Sequence, residues 1–351
     1  MIRVLIVEDS KVEQQLLAYI LDADPQISVV GFADDGEKAL LALEQLRPDV
    51  VTMDIHMPRL NGFDTTRQIM ENNPLPIIIV SGSYLAEDVD KTFRAMEAGA
   101  LAIVRKPVGV GHPGYTRDAG ELIKTVKMMS EIKVVKRWPR LRRGAPVPPL
   151  ATPAVKITQE KIKVVAIGAS TGGPAVIQEL FCALPKDLSV PVLVVQHMAV
   201  GLVENFVKWL GLTSGFPSHL ASHGETPLPG HAYFAPDGCH LLVGKDRRFF
   251  LSTEPPENGL RPAVARLFRS VAESYGSQAL GILLTGMGRD GADELKLLHS
   301  KGAVTIAQDR ESSIIFGMPG EAVKLEAADF ILPPERISLL LAQLSRAKNR
   351  L

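Results

Sequence analysis

The sequence has little cysteine, few aromatic residues and no excess of either charge. Two cysteines in 351 residues exclude a disulfide framework and are typical of a reducing compartment. Lysine plus arginine and aspartate plus glutamate both number 39, so net charge indicates no nucleic-acid partner. No uninterrupted apolar run approaches roughly 18 residues, and acidic residues appear by position 8. We therefore expect a cytoplasmic protein with neither a signal peptide nor insertion into the membrane.

The chain does contain enough apolar sequence for two folded domains. Its 351 residues are 46% apolar, and that length exceeds a typical single domain. A proline-rich, basic segment without helical or strand periodicity begins near residue 136. We predict domains at 1–135 and 161–351, joined by a partly extended linker at 136–160. A solvated linker is favoured over a docking site for an anionic partner.

Both halves alternate short apolar runs with helical patterns, which predicts two doubly wound, mostly parallel sheets and an α/β fold class. The first half reads as a flavodoxin-like domain. The second half also has three closely spaced strands, which suggest an antiparallel hairpin added to the parallel sheet. The predicted strands are 4–7, 28–33, 49–53, 77–80 and 101–104, then 163–168, 191–196, 231–236, 239–244, 248–252, 279–285, 303–308 and 329–332. The helices predicted in the first half are 11–22, 36–46, 64–72, 87–97 and 119–135.

Charged and polar residues stand at the strand ends of the first half. Glu8 and Asp9 follow the first strand, and Asp54 follows the third. Ser81 follows the fourth strand and Lys106 the fifth. Because parallel strands end at one edge of a sheet, three carboxylates gather there, and a divalent cation such as Mg²⁺ would relieve their repulsion. An aspartate at such a site can accept a phosphoryl group, whose oxygens a hydroxyl and an ammonium can bind.

Residues 1–135 resemble the receiver domain of bacterial response regulators through "LIVEDS", "MDIHMPRLNG", "VSGS" and "VRKP". The resemblance implies that a histidine kinase phosphorylates Asp54. It also implies that Mg²⁺ is bound by Glu8 and Asp9 together with Asp54.

Two residues depart from the receiver pattern. His56 stands where related receivers commonly have an acidic residue, and Ile103 stands where an aromatic switch residue is usual. We expect the phosphorylation chemistry to survive both changes. Signalling by an aromatic ring that swings inward with Ser81 is excluded.

The stretch "VVAIGASTGGP" at 164–174 ends a predicted strand in small residues, just before a predicted helix. Its glycines can let backbone amides bind a phosphate, or the turn can present Ser170 as the nucleophile of a G-x-S-x-G elbow. Neither a Walker lysine nor G-x-G-x-x-G spacing is present, which weakens the phosphate alternative. A nucleophile also needs a base, so this stretch alone does not decide.

A base and an orienting acid stand at two other strand ends. His197 closes a strand in "VVQHM", and Asp290 lies in the glycine-rich "TGMGRDG". Asp290 can hold the imidazole in its proton-accepting tautomer, and backbone amides around Met287 can meet an oxyanion. The order Ser, His, Asp differs from that of α/β-hydrolases, which implies a separate origin of the same geometry.

Almost the whole chain resembles the CheB family, the protein-glutamate methylesterases of bacterial chemotaxis. The resemblance rests on "GASTGGP", "QHM", "PGHAYFAPDGCHLL", "RPAVARLFRSVAESYG", "TGMGRDGADEL" and "AQDRESSIIFGMPGEAV". It implies that Ser170 is the nucleophile, His197 the base and Asp290 its orienter. It further implies that the Met287 amide belongs to the oxyanion hole and that Thr171 assists positioning.

The resemblance implies an enzyme that demethylates glutamate methyl esters, and deamidates glutamines, on methyl-accepting chemoreceptors at receptor arrays. Its phosphodonor would be a histidine kinase of the CheA type. Mg²⁺ would serve phosphorylation only, with no cofactor for hydrolysis. Joining a receiver to a hydrolase predicts that phosphorylation of Asp54 relieves a restriction on receptor access. At Ala199 the family usually has proline, a change that we expect to alter loop stiffness more than chemistry.

The main alternative is a non-catalytic or DNA-binding response regulator with a ligand-binding or partner-binding output domain. A DNA-binding output domain should contain a basic helix-turn-helix after the receiver. Residues 161–351 instead have the pattern of a complete α/β domain, and all three triad residues are present.

Overall fold

The computed structural model describes residues 1–82, 94–96, 98–132, 134 and 161–345. The chain divides into two compact units, Met1–Pro148 and Pro149–Leu351. The predicted linker at 136–160 and most of the predicted helix at 87–97 lie outside the described residues, so the domain boundaries stay predictions. Within the described part of the chain, no helix combines the length and the apolar character needed to cross a membrane.

The first unit contains one parallel sheet. Its strands are β1 (Ile2–Val7), β2 (Ile27–Ala33), β3 (Val50–Met53), β4 (Ile77–Ser81) and β5 (Ala102–Arg105). Its described helices are α1 (Lys11–Asp22), α2 (Gly36–Leu46), α3 (Gly62–Asn72) and α4 (Tyr115–Ser130). The strand order is β2-β1-β3-β4-β5 with every pair parallel, which is the flavodoxin-like order. The predicted fold class of this half is therefore confirmed.

Local side chains determine where the first three helices begin. Ser10, Asp35 and Asn61 each accept a hydrogen bond from the backbone three residues on, as N-cap residues do. The cap at Asn61 starts α3 two residues before the predicted position. Helix α4 also begins and ends earlier than the predicted span of 119–135, at Tyr115 and Ser130.

The second unit contains a larger sheet with helices along its length. Its strands are β6 (Val164–Ala169), β7 (Val192–Gln196), β8 (Ser218–Leu220), β9 (Ala232–Phe234), β10 (His240–Val243), β11 (Phe249–Ser252), β12 (Ala279–Leu283), β13 (Val304–Gln308) and β14 (Phe330–Leu332). Its helices are α5 (Gly173–Ala183), α6 (Val203–Ser214), α7 (Val264–Ser274), α8 (Ala292–Ser300), α9 (Met318–Lys324) and α10 (Pro334–Leu341).

Seven of these strands pair in parallel in the order β14-β13-β12-β6-β7-β9-β8. The chain runs outward from β6 in one direction and later returns to run outward from β12 in the other. The boundary between β6 and β12 is thus the topological switch point, where open α/β sheets bind their ligands.

The three closely spaced strands divide differently from the prediction. The hairpin forms between β10 and β11 and is antiparallel, but it is a separate two-stranded sheet. The strand before it, β9, instead joins the large sheet in parallel between β7 and β8. Strand β8 has only three residues, too few for an alternating pattern to reveal it.

Helix α7 shows how the core of the second unit positions the site. Its apolar residues recur every three or four positions and are fully buried, namely Val264, Leu267, Phe268 and Val271. Each such side chain stabilises the fold by about 1.5–3 kcal/mol. On its outer side Arg269 binds Glu257 at 2.7 Å and Glu294 at 2.6 Å. The helix is therefore fixed on both sides, and its N-terminus has a defined position.

Candidate active site

Ser170 lies in the turn that connects β6 to α5. Its backbone N–H donates to the Thr285 carbonyl at 3.0 Å, which joins this turn to the segment that follows β12. The left-handed residue of the turn is Gly172, with φ of +80°. The conformation that tightens the turn therefore falls on a glycine, where it costs little, and not on the serine.

His197 follows β7 directly and faces Asp290. Its backbone N–H donates to the Ala169 carbonyl at 2.9 Å, next to Ser170 in the chain. The imidazole Nε2 lies 3.0 Å from Oδ2 of Asp290. The structure thus brings together the predicted base and its predicted orienting acid from opposite sides of the switch point.

The Asp290 carboxylate is buried and is held by the start of α7. Its Oδ2 accepts a hydrogen bond from Val264 N at 2.6 Å, and its Oδ1 accepts one from Ala265 N at 3.1 Å. Ala263, the N-cap residue of α7, has no side chain that can cap the helix. Asp290 supplies that cap from a distant part of the sequence, and the positive end of the helix dipole stabilises its negative charge.

The segment after β12 approaches Ser170 closely. A Cβ on Gly286 would lie only 2.7 Å from the Ser170 Cβ, so a glycine is required. Gly286 N donates to Ile315 O at 3.1 Å, and Gly286 O accepts from Met318 N at 2.8 Å. Because the Gly286 carbonyl and the Met287 N–H belong to the same planar peptide group, the bond to Gly286 O also fixes the direction of the Met287 N–H. The Met287 side chain is 46% exposed beside it.

Thr171 participates through its carbonyl group. The Thr285 hydroxyl donates to Thr171 O at 3.0 Å and accepts from Ile315 N at 3.0 Å. One buried hydroxyl therefore connects three loops of the site. Sequence reasoning missed Thr285, and it also missed two buried glutamines, Gln196 and Gln308, which bind the same loops. The available signal was a polar residue at the end of an otherwise apolar strand.

Three other histidines of the second unit have partners outside the Ser170 turn. His219 Nε2 and His231 Nδ1 lie 2.9 Å apart. His240 is fully buried, with Nδ1 bonded to Ala263 N and Nε2 to Pro255 O, both at 3.2 Å. His197 remains the candidate base because its backbone binds Ala169, next to Ser170, and its imidazole faces Asp290.

The first unit collects its predicted residues at the carboxyl edge of its sheet. Oxygen atoms of Glu8, Asp9 and Asp54 all lie within 4.8 Å of one another. Lys106 Nζ lies 2.7 Å from Glu8 Oε2 and 3.4 Å from Asp54 Oδ2. Ser81 is buried at the end of β4, and its carbonyl accepts from Lys106 N at 2.9 Å.

Burial and like charge oppose ionisation at this edge. Burial raises the pKa of Glu8 to about 7, with the Asp54 charge adding to the effect and Lys106 opposing it. Burial also raises the pKa of Asp54, again against Lys106. For Lys106 burial lowers the pKa, but the hydrogen bond to Glu8 and the Asp54 charge outweigh it, so its pKa is raised. The three carboxylates at this edge have one lysine between them and offer only oxygen ligands, which fits Mg²⁺.

The three residues that depart from the related patterns have ordinary surroundings. His56 is exposed. Ile103 is half-buried and packs against the apolar core of the first sheet. Ala199 is half-buried, and its carbonyl accepts from Leu202 N at 3.2 Å.

Comparison with known proteins assigns both units. Residues 165–341 match the family model of the CheB methylesterase, and residues 4–112 match that of the response regulator receiver domain. The chain is 53% identical to protein-glutamate methylesterase/protein-glutamine glutaminase 4 of Geobacter metallireducens over 349 residues, 99% of this chain and 100% of the relative. It is 50% identical to protein-glutamate methylesterase/protein-glutamine glutaminase 1 of Syntrophus aciditrophicus, over 98% of this chain and 99% of the relative.

A solved structure supports the assignment of the second unit. The crystal structure of the Thermotoga maritima CheB methylesterase catalytic domain aligns with a TM-score of 0.51 and 36% identity. The alignment covers 52% of this chain and 98% of that domain. The chain belongs to the CheB methylesterase family and carries a response regulator receiver domain.

Proposed function

We propose that this chain is a protein-glutamate methylesterase and protein-glutamine glutaminase that acts on chemoreceptors and is activated by phosphorylation of its receiver domain. The observation that carries the proposal is the 3.0 Å approach of His197 Nε2 to Asp290 Oδ2 at the switch point that also holds Ser170. The names of the relatives at 53% and 50% identity supply the substrate class. A DNA-binding output domain finds no support in residues 161–345, which form a doubly wound sheet.

In the first half-reaction the Ser170 hydroxyl attacks the carbonyl carbon of a glutamate γ-methyl ester. His197 takes the hydroxyl proton as the new C–O bond forms. Because Nε2 is turned toward Asp290, Nδ1 is the nitrogen that accepts this proton. The carboxylate of Asp290 stabilises the imidazolium that results.

The tetrahedral intermediate places a negative charge on the former carbonyl oxygen. The Met287 N–H donates to that oxygen, and its fixed direction means that little reorganisation is needed at the moment of reaction. Thr171 assists by holding its loop to Thr285. His197 then returns the proton to the leaving oxygen, and methanol departs; from a glutamine amide the leaving group is ammonia.

In the second half-reaction water attacks the acyl-serine. His197 removes a proton from the water and gives it to the Ser170 oxygen as the C–O bond breaks. The products are free glutamate and regenerated enzyme. The scheme uses only side chains and backbone amides of this chain.

The first unit regulates the activity of the second. Asp54 accepts a phosphoryl group from a histidine kinase of the CheA type as an acyl phosphate, and Ser81 and Lys106 bind its oxygens. Glu8, Asp9 and Asp54 would hold Mg²⁺, which would supply the positive charge that the carboxylates and the phosphoryl oxygens require. The protein would act in the cytoplasm at receptor arrays.

Methanol release from a methylated chemoreceptor tests the proposal. Ser170→Ala should lower the rate by at least about 10³-fold, because the nucleophile is lost while binding remains. Ser222→Ala, at an exposed serine after β8, is the matched control and should keep the wild-type rate. A Ser170→Ala enzyme as active as wild type would exclude the assigned mechanism.

A further inference from the structure

Two buried glutamines end the strands that flank the switch point. Gln196 is the last residue of β7, and Gln308 is the last residue of β13. In the order β13-β12-β6-β7 these strands stand on either side of the central pair, whose following segments carry Met287 and Ser170. The glutamines are 3% and 0% exposed. Because a buried carboxamide costs free energy unless it is hydrogen-bonded, its partners show what it does.

Gln196 binds the residues of both the nucleophile and the base. Its Nε2 donates to Ser170 O at 2.8 Å and to His197 O at 2.7 Å. Both partners are carbonyl oxygens, which only accept, so only the –NH₂ group can face them. A single carboxamide therefore holds the two catalytic residues at a fixed separation.

The second glycine of "STGG" makes room for this contact. A Cβ on Gly173 would lie 2.1 Å from Gln196 Oε1, so any larger residue would push the carboxamide away. This requirement is separate from the turn at Gly172. The glycine pair therefore serves both the turn and the glutamine.

Gln308 binds the other segment with the opposite end of its carboxamide. Its Oε1 accepts from Thr285 N at 2.8 Å, and its Nε2 donates to Ser312 Oγ at 3.1 Å. Thr285 precedes Gly286 and Met287 directly. We call residues 285–287, which end at the Met287 N–H, the oxyanion segment. Gln308 holds the start of this segment through its acceptor oxygen, whereas Gln196 acts through its two donor hydrogens.

We propose that Gln196 and Gln308 are positioning residues that hold the nucleophile, the base and the oxyanion segment in reactive positions before substrate arrives. They act through Ser170, His197 and Met287 and touch no reacting atom. The inference rests on the proposed function, because it assigns these glutamines to the same reaction. A displacement of about 1 Å at a reacting group can cost on the order of 10²-fold in rate, so loss of this support should appear mainly in kcat.

Glutamate substitutions at the two positions give a matched test. Glutamate has the shape of glutamine, but its carboxylate has no donor. Gln196→Glu loses both bonds and turns negative oxygens toward two carbonyls, whereas Gln308→Glu keeps an acceptor for Thr285 N. Both variants bury the same charge, so burial of a charge cannot by itself explain a difference in kcat between them, and the thermal midpoint of each variant reports any difference in stability separately. We expect kcat to fall about 100-fold in Gln196→Glu and less than about 5-fold in Gln308→Glu, with KM changed less than about 3-fold.

The pH dependence of Gln196→Glu adds a second signature. A protonated glutamate regains one O–H donor, so the ratio of wild-type to Gln196→Glu kcat should shrink as pH falls. For Gln308→Glu the convergence should be small, because its loss of kcat is less than about 5-fold at any pH. A ratio that is independent of pH, together with equal kcat losses in both variants, would overturn the proposal.

Labelling by a fluorophosphonate measures the nucleophile without the receptor. The Ser170 oxygen displaces fluoride from phosphorus, and the mass of the intact full-length protein follows the reaction. The rate should decrease in the order wild type, Gln308→Glu, Gln196→Glu. If wild type is not labelled, or Ser170→Ala is labelled equally, the proposed function fails. If only Ser170→Ala resists and both glutamate variants react as fast as wild type, the positioning role alone fails.

Gln196→Met covers the case in which the buried charge prevents folding. Methionine has nearly the same volume, carries no charge and provides neither donor. Its kcat should fall about 30-fold while circular dichroism and the thermal midpoint show a folded protein. A folded Gln196→Met enzyme with wild-type kcat would contradict the proposal.

Discussion

The two units place chemistry at the same edge of the same kind of sheet, with opposite electrostatics. In the first unit the carboxyl edge gathers Glu8, Asp9 and Asp54 around one lysine. In the second unit the edge brings His197 against the Asp290 carboxylate, next to the turn that carries Ser170. Strand topology alone therefore does not determine what such an edge binds.

The difference lies in where each carboxylate finds its positive partner. Asp290 has two backbone N–H groups at a helix N-terminus and the imidazole, so the fold itself provides for its charge. Glu8 and Asp54 share Lys106, and burial raises the pKa of both. Carboxylates therefore outnumber the lysine at the first edge, whereas the Asp290 carboxylate at the second edge is already hydrogen-bonded.

The largest expected effect tests the anchoring of Asp290. Asp290→Asn should lower kcat by about 10³–10⁴-fold, because its amide presents a donor where the carboxylate accepted from α7 and faced His197. Methanol release gives the measurement. Asp293→Asn, an exposed neighbour paired with Arg289, is the control and should keep wild-type kcat. Equal kcat in Asp290→Asn and Asp293→Asn would show that the anchored Asp290 carboxylate is not needed for catalysis, against the difference drawn between the two edges.

The second-largest expected effect tests the carboxyl edge of the first unit without changing that of the second. Asp54→Asn should abolish stimulation of methanol release by a small-molecule phosphodonor, because an amide cannot form the acyl phosphate. Activity without the phosphodonor should remain measurable. Asp49→Asn, an exposed residue at the opposite end of β3, should be stimulated like wild type. Stimulation of Asp54→Asn would place the phosphoacceptor elsewhere.

The smallest effect concerns the cation. At about ten times its Kd, Mg²⁺ should raise the free energy of unfolding of the first unit by about 1.4 kcal/mol, since only the folded state binds it. Hydrogen exchange of β1 and β3 peptides measures this increase, and β6 and β12 peptides should not respond. Asp9→Asn should remove most of the increase, and Asp49→Asn should leave it intact. Equal protection of both units would indicate a nonspecific salt effect.

The sequence predicted the site best where the parallel strand order itself brings residues at strand ends close together. Parallel strands end at one edge, so Asp54 and Lys106 could be expected near each other from strand position alone, and their separation is 3.4 Å. The same argument led to His197 and Asp290. It required only that the strands be identified, and short apolar runs were enough to identify most of them.

Hydrogen bonds between loops that are distant in the sequence could not be predicted, because they leave no pattern in the residues around either partner. The bonds from Asp290 to the start of α7 join residues about 25 positions apart, and the apolar pattern of α7 does not reveal which acid its backbone binds. The same holds for Gln196, whose neighbours suggest only a buried strand. The predicted antiparallel hairpin is present as β10 and β11, but closeness in sequence did not reveal that β9 pairs in parallel with β7.

Helix α7 begins where Asp290 needs two amides, and this has a consequence for the evolution of the preceding loop. Surface loops ordinarily tolerate insertions and deletions. The segment 253–263 cannot change length freely, because any shift of Val264 would move the carboxylate that faces His197. Length variation among relatives should therefore concentrate in the exposed hairpin turn at 245–248, where a gained or lost residue leaves the helix start in place.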